Sequence, residues 1–153
     1  MNDLKWHLRY LRLAQHISEW SKDPSTQVGA VAVGSHGQIL SQGYNGFPRG
    51  VYDLESRLVN KKEKYKYVIH AEMNCVYNAS LSGVSLNGAS MYVYGLPMCH
   101  DCAKGVIQSG VKAVYCAHGL PISEKWSDSW FVSSTMFQES GVDFEIFDID
   151  QLK

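Results

Sequence analysis

Apolar residues recur three or four positions apart along the first part of the chain. They include leucines, alanine, isoleucine and tryptophan, and Asp3 stands where it can cap the start of a helix. This pattern predicts an amphipathic helix over about residues 3–21. The residues SKDPST (21–26) then break the helical pattern with a proline and small polar side chains.

The following segments carry strand patterns and then alternate between helix and strand. Residues 27–46, QVGAVAVGSHGQILSQGYNG, predict two strands joined in a hairpin at GSHG. Residues 53–67 are densely charged, which predicts an exposed insertion with some helix. The remaining pattern predicts a helix over 70–81, a strand over 89–96, a helix over 102–110, a strand over 111–117, a helix over 127–140 and a strand over 142–149.

This order of elements indicates the fold class. Strands that alternate with helices pair in parallel, with the helices on the faces of the sheet, whereas a hairpin pairs antiparallel. We therefore predict an α/β fold, a three-layer α/β/α sandwich around a mixed five-stranded sheet. We expect it to form one domain over residues 1–153.

The composition is typical of a globular protein. Of the 153 residues, 45% are hydrophobic and 19% are charged, and the net charge is −1. Proteins that mainly bind nucleic acid usually carry a basic excess, so this balance favours a small-molecule substrate. The apolar runs are too short to span a bilayer, and the N-terminus is unlike a signal peptide. We expect a cytoplasmic protein with reduced cysteines that binds neither membranes nor nucleic acid.

Cys99 and Cys102 have the spacing at which two thiolates can bind one zinc ion. Two ligands are too few, because structural zinc sites normally use four and catalytic sites use three with one open position. Among the histidines, His70 is the best third ligand, since it stands directly at a predicted helix start, as the two cysteines do. Side chains at helix starts can converge on one site. Three ligands leave the fourth position open for water.

Glu72 follows His70 by two residues. Zinc lowers the pKa of a bound water toward ~7, and Glu72, if it is not itself a ligand, can take up the proton and deliver it elsewhere. Each motif alone is weak, because redox pairs and zinc knuckles also contain C-x-x-C. H-x-E followed by C-x-x-C 27 residues after Glu72 is, however, the pattern of the zinc-dependent nucleobase deaminases.

From about residue 11 to residue 147, the sequence resembles the deoxycytidylate (dCMP) deaminases of the cytidine and deoxycytidylate deaminase family. The resembling segments are, in order, SKDPSTQVGAVAV, GYNGFPRG, HAEMN, GASMYV, CHDCAKGVIQSGVKAVY and GVDFEIF. The resemblance implies a sandwich of the cytidine deaminase type. It also implies hydrolytic deamination of dCMP to dUMP with release of ammonia, which supplies dUMP for thymidylate synthesis.

The resemblance also implies roles for particular residues. Zinc would be bound by His70, Cys99 and Cys102, and Glu72 would carry protons. Asn45 would hydrogen-bond the sugar or the base of the substrate.

The remaining substrate contacts are expected from the backbone and from two loops. The resemblance implies that the backbone N–H of Ala71 holds the pyrimidine O2. A 5′-phosphate requires hydrogen-bond donors or cations, and the two loops expected to border the pocket offer Lys22, Ser25, Thr26 and Arg49.

Known relatives suggest how the protein is assembled and regulated. They are often homo-oligomers, including hexamers, that are activated by dCTP and inhibited by dTTP. The effector site lies near the glycine-rich loop, which corresponds here to GYNGFPRG (residues 43–50). By resemblance, Gly43, Tyr44 and Gly46 would belong to such an allosteric site, and Mg would accompany a nucleotide effector. Residues 50–69 contain no cysteine, whereas some phage members bind a second zinc there, so one zinc per chain is expected.

The sequence departs from the family pattern immediately before the first cysteine. The family usually has proline at that position, whereas here Met98 separates Pro97 from Cys99, which we expect to reshape the loop that enters the site. Trp126 and Trp130 stand four residues apart in the last predicted helix. We expect them in the core or a subunit contact rather than as a platform for a base.

Other functions remain open from the sequence alone. The substrate could be dCTP or another cytosine nucleotide, and less favoured alternatives are a tRNA adenosine deaminase and a riboflavin-pathway pyrimidine deaminase. A zinc-stabilised binding module without catalysis would have no need for Glu72, which is present.

Overall fold

Helix α1 (Asp3–Ser18) opens the computed structural model, which describes residues 3–153. It buries Leu11, Ala14 and Ile17 on one face, as the apolar spacing predicts. The helix ends three residues before the predicted boundary, because the N–H groups of residues 19–21 donate to carbonyls three positions back and form a tighter final turn. Within residues 3–153, no helix combines the length and the apolar character needed to cross a membrane.

The predicted hairpin is confirmed. Strands β1 (Gly29–Val33) and β2 (Ile39–Tyr44) pair antiparallel, with an irregularity in register between Ala32 and Val33. Every residue of β1 is buried, because β1 has a neighbouring strand on each side and helices on both faces.

The charged segment forms two short helices, α2 (Glu55–Val59) and α3 (Lys61–Tyr67). Asn60 caps α3, because its side chain accepts hydrogen bonds from the N–H groups of the second and third residues of the helix. Most side chains of the segment are exposed, as predicted, but Lys64 is buried and forms an ion pair with Asp23, with 3.1 Å between Nζ and Oδ2. This buried pair ties α3 to the loop that follows α1.

The rest of the chain follows the predicted alternation, with small differences at the boundaries. Helix α5 (His100–Gln108) begins two residues before the predicted start, because the Cys99 side chain accepts a hydrogen bond from the backbone N–H of Cys102 and so caps the helix. Helix α6 (Glu124–Ser140) begins three residues early and ends, as predicted, at Gly141, which adopts φ 77°. A terminal 3-10 helix was not predicted. The elements are α4 (Ala71–Leu81), β3 (Ser90–Tyr94), α5 (His100–Gln108), β4 (Ala113–His118), α6 (Glu124–Ser140), β5 (Asp143–Asp148) and the 3-10 helix (Ile149–Leu152).

The five strands form one mixed sheet in the order β2-β1-β3-β4-β5. Strand β1 pairs antiparallel with β2 and with β3, whereas β3, β4 and β5 pair in parallel. Alternate residues of β4 belong to different cores: Val114 and Cys116 pack on the side of α4, α5 and α6, and Ala117 packs on the side of α1. The predicted three-layer α/β/α sandwich is therefore confirmed, with α1 on one face and three helices on the other.

Helix α4 lies very close to β2, and Gly43 makes this approach possible. A methyl group at residue 43 would lie 2.6 Å from the carbonyl oxygen of Ala71 and still closer to the amide nitrogen of Cys75. Both are backbone atoms, so the helix would have to move to admit a side chain. This contact fixes the distance between the sheet and the first turn of α4.

We expect Gly43→Ala to destabilise the protein by about 1–3 kcal/mol, because it overpacks a backbone contact that cannot relax locally. Urea denaturation followed by circular dichroism measures the effect. The matched control is Gly46→Ala, where the nearest atom to an added methyl lies 3.9 Å away, and we expect it to stay within about 0.5 kcal/mol of wild type. Equal stability of the two variants would contradict this account of Gly43.

Candidate active site

His70, Cys99 and Cys102 come together where two helices begin. His70 is the N-cap residue of α4, and Cys99 is the N-cap residue of α5. The His70 Nδ1 atom lies 3.4 Å from Cys99 Sγ and 3.3 Å from Cys102 Sγ. The three potential ligand atoms all lie within 4.8 Å of one another.

This cluster fits a zinc ion in geometry and in chemistry. With ordinary zinc–sulfur and zinc–nitrogen bond lengths, tetrahedral coordination separates a nitrogen and a sulfur ligand by about 3.6 Å, close to the distances found here. Thiolate and imidazole are donors that zinc accepts readily. The cysteines of residues 3–153 form no disulfide that would compete with metal binding. All four are free: Cys75, Cys99, Cys102 and Cys116.

Hydrogen bonds within the cluster shift the pKa values of its three members. A hydrogen bond from Cys102 is the largest of the causes that lower the pKa of Cys99 to about 4, and a hydrogen bond with His70 acts in the same direction. The same sulfur–sulfur hydrogen bond, together with burial, raises the pKa of Cys102. The hydrogen bond to Cys99 raises the pKa of His70. A cation bound to this cluster would displace the protons of its ligands, because thiols bind metals in their deprotonated form.

Glu72 lies in the first turn of α4, beside the cluster, and is 4% exposed. Burial raises the pKa of its carboxyl to about 7, while the neighbouring His70 charge acts in the opposite direction. A carboxyl group whose pKa lies near neutral can both accept and donate a proton, which is what a general acid–base group requires.

The cluster and Glu72 border a cavity of about 390 Å³. This volume is within the range of small-molecule sites. Its walls come from six parts of the chain: the loop after α1, the residue after β2, the α3 segment, the start of α4, the loop before α5 and the start of α6. The lining residues are Asp23, Ser25, Thr26, Val28, Asn45, Lys61, Lys64, Tyr65, Val68, His70, Ala71, Glu72, Leu96, Pro97, Cys99, Lys125 and Trp126.

Asn45 is buried in this cavity wall and also holds the wall together. Its Oδ1 accepts a hydrogen bond from the Val28 N–H, and its Nδ2 donates to the Thr26 carbonyl, both at 2.9 Å. Ala71 lines the cavity as the first residue of α4, where backbone N–H groups have no partner within the helix. Ser25 also lines the cavity.

Two residues expected to border the pocket do not do so. Lys22 is exposed, and its Nζ lies 2.8 Å from Asp53 Oδ2. This hydrogen bond raises the pKa of Lys22. Arg49 is also exposed, and it donates a hydrogen bond to the side chain of Asn78 on α4. Lys22 and Arg49 therefore bind acceptors outside the cavity, the side chains of Asp53 and Asn78.

Other cationic and aromatic groups of the cavity were not predicted. Lys61, Lys64 and Tyr65 reach it from the α3 segment, and Lys125 and Trp126 reach it from the start of α6. Trp126 therefore lies half-buried in the cavity wall rather than in the core. No sequence signal identifies these residues, because their position depends on how two distant segments pack around the cluster.

Trp130 does have its expected place in the core. Its ring centroid lies 6.3 Å from that of Phe137 and 5.7 Å from that of Phe144.

Met98, the additional residue before Cys99, packs in the core. Met98 is fully buried, and its carbonyl accepts a hydrogen bond of 2.8 Å from Ser133 Oγ on α6. This hydrogen bond joins α6 to the loop that carries Cys99.

The glycine-rich loop lies beside a second, smaller cavity of about 90 Å³. Tyr44 and Gly46 line it, and Tyr44 also contacts the ring of Trp20. Gly43 does not line it and instead allows α4 to approach β2.

Comparisons with known proteins agree with this architecture. Residues 4–118 match the model of the cytidine and deoxycytidylate deaminase zinc-binding region. An uncharacterized deaminase in the luxG 3′ region of Aliivibrio fischeri is 38% identical over 151 residues, covering 97% of this chain and 98% of that protein. Human deoxycytidylate deaminase is also 38% identical over 151 residues, covering 94% of this chain and 80% of that protein.

A solved structure shows the same fold. The dCMP deaminase of cyanophage S-TIM5, crystallised in complex with dCMP and dUMP, aligns with a TM-score of 0.74 at 29% identity and covers 96% of this chain and 98% of that chain. These matches confirm the resemblance found in the sequence. The chain belongs to the cytidine and deoxycytidylate deaminase family, whose zinc-binding region it contains.

Proposed function

We propose that this protein deaminates dCMP to dUMP hydrolytically and releases ammonia. The observation that carries the proposal is the placement of a buried carboxyl, Glu72, beside the His70–Cys99–Cys102 cluster in one cavity of suitable size. The relatives named deoxycytidylate deaminase and the related structure that holds dCMP and dUMP support the choice of substrate.

In this proposal, His70, Cys99 and Cys102 hold the zinc ion. When bound, zinc acts as a Lewis acid that lowers the pKa of water to about 7. Glu72 accepts the proton of the water that attacks C4 and delivers it to N3. It then carries a second proton to the exocyclic amine as the bond between C4 and nitrogen breaks, so that ammonia leaves and the ring becomes uracil. Its burial excludes bulk water from both transfers.

Groups at the start of α4 and in the loop after α1 would orient the substrate. The backbone N–H of Ala71 is available to donate to the pyrimidine O2. Asn45 retains one free N–H and one free lone pair after its two backbone hydrogen bonds, which it can offer to the sugar or the base. The hydroxyl groups of Ser25 and Thr26 line the same wall and would contact the sugar side of the nucleotide.

We further propose that the chain forms one domain over residues 1–153, binds one zinc and assembles into a homo-oligomer such as a hexamer. Regulation by dCTP and dTTP, with Mg accompanying the nucleotide, would use the small cavity beside Tyr44 and Gly46, with Gly43 in the same loop. The enzyme would work in the cytoplasm and supply dUMP for thymidylate synthesis. Analytical ultracentrifugation with and without dCTP and dTTP tests the assembly and the effectors.

A substrate panel tests the proposed reaction. We expect the zinc-loaded protein to release ammonia from dCMP with a kcat/KM at least about tenfold above that for CMP, dCTP, deoxycytidine or a tRNA anticodon stem, because its relatives are named deoxycytidylate deaminase and a related structure holds dCMP. Coupled detection of ammonia provides the measurement, with and without dCTP and dTTP. A higher kcat/KM for dCTP or for the tRNA stem than for dCMP would show that the proposed substrate is wrong.

Removal of a cysteine tests the ligand assignment. We expect Cys99→Ala and Cys102→Ala each to lose bound zinc and to unfold at a lower temperature, because the metal joins the starts of two helices. Elemental analysis of wild type should find one zinc per chain. The control is Cys75→Ala, a fully buried cysteine outside the cluster, which should retain zinc. Loss of the metal in this control, or two zinc ions in wild type, would show that the ligand set is wrong.

Replacement of Glu72 separates proton transfer from metal binding. We expect Glu72→Gln and Glu72→Ala to keep zinc but to lose about 10⁴-fold in kcat, because general acid–base groups typically contribute 10²–10⁴ and this one acts twice. Binding of dCMP should be largely kept. Glu139→Gln, an exposed glutamate at the far end of α6, serves as the control and should remain fully active. A metal-free Glu72 variant would show that Glu72 is a ligand, and activity within tenfold of wild type would remove it from the mechanism.

A further inference from the structure

Two serines of α6 hold the backbone on both sides of Cys99. Ser133 Oγ donates a hydrogen bond of 2.8 Å to the Met98 carbonyl, which belongs to the peptide group before Cys99. Ser129 Oγ accepts a hydrogen bond of 3.0 Å from the backbone N–H of His100, which belongs to the peptide group after Cys99. The two peptide groups whose orientations define the backbone torsion angles of Cys99 are therefore both bound to α6.

The hydrogen-bonding capacity of the two hydroxyl groups matches this arrangement. A serine hydroxyl donates one proton and also accepts through its oxygen. Ser129 Oγ accepts from the His100 backbone and lies 2.8 Å from His100 Nδ1, to which it can donate its own proton. Ser133 is fully buried, and the Met98 carbonyl at 2.8 Å is nearer to its hydroxyl than the Ser129 carbonyl at 3.1 Å. Each serine thus commits its hydroxyl to the segment that carries Cys99.

The helix that carries the two serines is itself anchored in the core. Ser129 and Ser133 stand four residues apart, so they lie on the same face of α6. Trp130 and Phe137 of the same helix pack against each other and against Phe144 of β5, with ring centroids 5.7–6.3 Å apart. A support that is locked by packing in this way can hold a ligand residue precisely.

Cys99 needs such support more than Cys102 does. Cys102 lies inside the first turn of α5, where the helix fixes its backbone. Cys99 precedes the helix in an extended conformation, with ψ 159°, and is only half-buried. A rotation about either backbone torsion of Cys99 would change the 3.4 Å separation between its Sγ and His70 Nδ1. The contacts with α6 oppose such a rotation.

We propose that Ser129 and Ser133 are positioning residues that fix Cys99 Sγ in the His70–Cys99–Cys102 cluster and so determine how tightly the cluster holds zinc. Loss of a contact that orients a metal ligand typically lowers metal affinity about 10–100-fold. This inference rests on the proposed function, which assigns zinc to the cluster. Neither serine lines the large cavity, so their effect on the reaction would pass through the metal site.

Competition with a zinc chelator measures the zinc affinity of the folded protein and tests the inference. We expect Ser129→Ala and Ser133→Ala each to weaken zinc binding about tenfold, and the double variant to weaken it about a hundredfold. Ser129→Thr should stay close to wild type, because it keeps the hydroxyl group. Ser133→Ala leaves a buried carbonyl without its partner, so Ser129→Ala decides the test if that variant does not fold.

Cobalt(II) in place of zinc provides a spectroscopic readout of the ligand geometry. We expect the d–d absorption bands of cobalt-loaded Ser129→Ala to differ in position and intensity from those of wild type and of Ser129→Thr. The melting temperature of the metal-free proteins is measured in parallel. A role confined to folding would lower this melting temperature but leave zinc affinity and the cobalt bands of the folded protein unchanged, which would overturn the inference.

Ser134→Ala is the matched control, because the Ser134 hydroxyl donates to the Phe131 carbonyl of its own helix, at 2.9 Å. An equal loss of zinc affinity in this control would overturn the inference, as would wild-type affinity in Ser129→Ala. A wild-type protein that binds no zinc would overturn the ligand assignment and this inference together. Zinc binding that depends on Ser129 and Ser133, without deamination of any cytosine nucleotide, would support this inference and refute only the proposed function.

Discussion

The starts of helices α4 and α5 meet at the His70–Cys99–Cys102 cluster, and this contact sets the positions of the three donor atoms. Both residues that precede the helices are extended, with ψ 155° at His70 and ψ 159° at Cys99, so their side chains lie ahead of the first turns. Cys102 follows inside the first turn of α5 and joins them. The positive ends of two helix dipoles favour thiolates at this point. A shift of either helix along the sheet would separate the three donor atoms, so the packing of α4 and α5 on the strands directly determines the chemistry.

The sheet maintains this arrangement through backbone contacts as much as through side-chain packing. Gly43 lets the first turn of α4 lie against β2, and Ser41 Oγ donates a hydrogen bond of 2.6 Å to the Cys75 carbonyl of the same helix. On α5, the cysteine that caps the helix is also a member of the cluster. Ser133 on α6 holds the Met98 carbonyl directly before that cysteine. Helices α4 and α5 are thus held by contacts close to His70 and Cys99, the residues that contribute to the cluster.

The sequence predicts those features that depend on local pattern or on motif spacing. Helical and strand periodicity gave the element order, and the cluster followed from C-x-x-C and H-x-E because each motif stands at a helix start, where local structure alone directs the side chains. The boundaries of α5 and α6 differ by two or three residues because caps and tertiary contacts extend them. The cavity walls were less predictable. Lys22 and Arg49 lie in the expected loops, yet Asp53 and Asn78 hold them, and partner choice of this kind depends on contacts between distant segments.

The lysines of the cavity lie on other walls than the His70–Cys99–Cys102 cluster. A divalent zinc ion held by two thiolates and a neutral imidazole would leave the His70–Cys99–Cys102 cluster without net charge. The Lys64–Asp23 pair is likewise neutral, and its burial fixes α3 to the loop after α1. The charged insertion, which looks like a solvated surface feature in the sequence, thereby becomes a wall of the site.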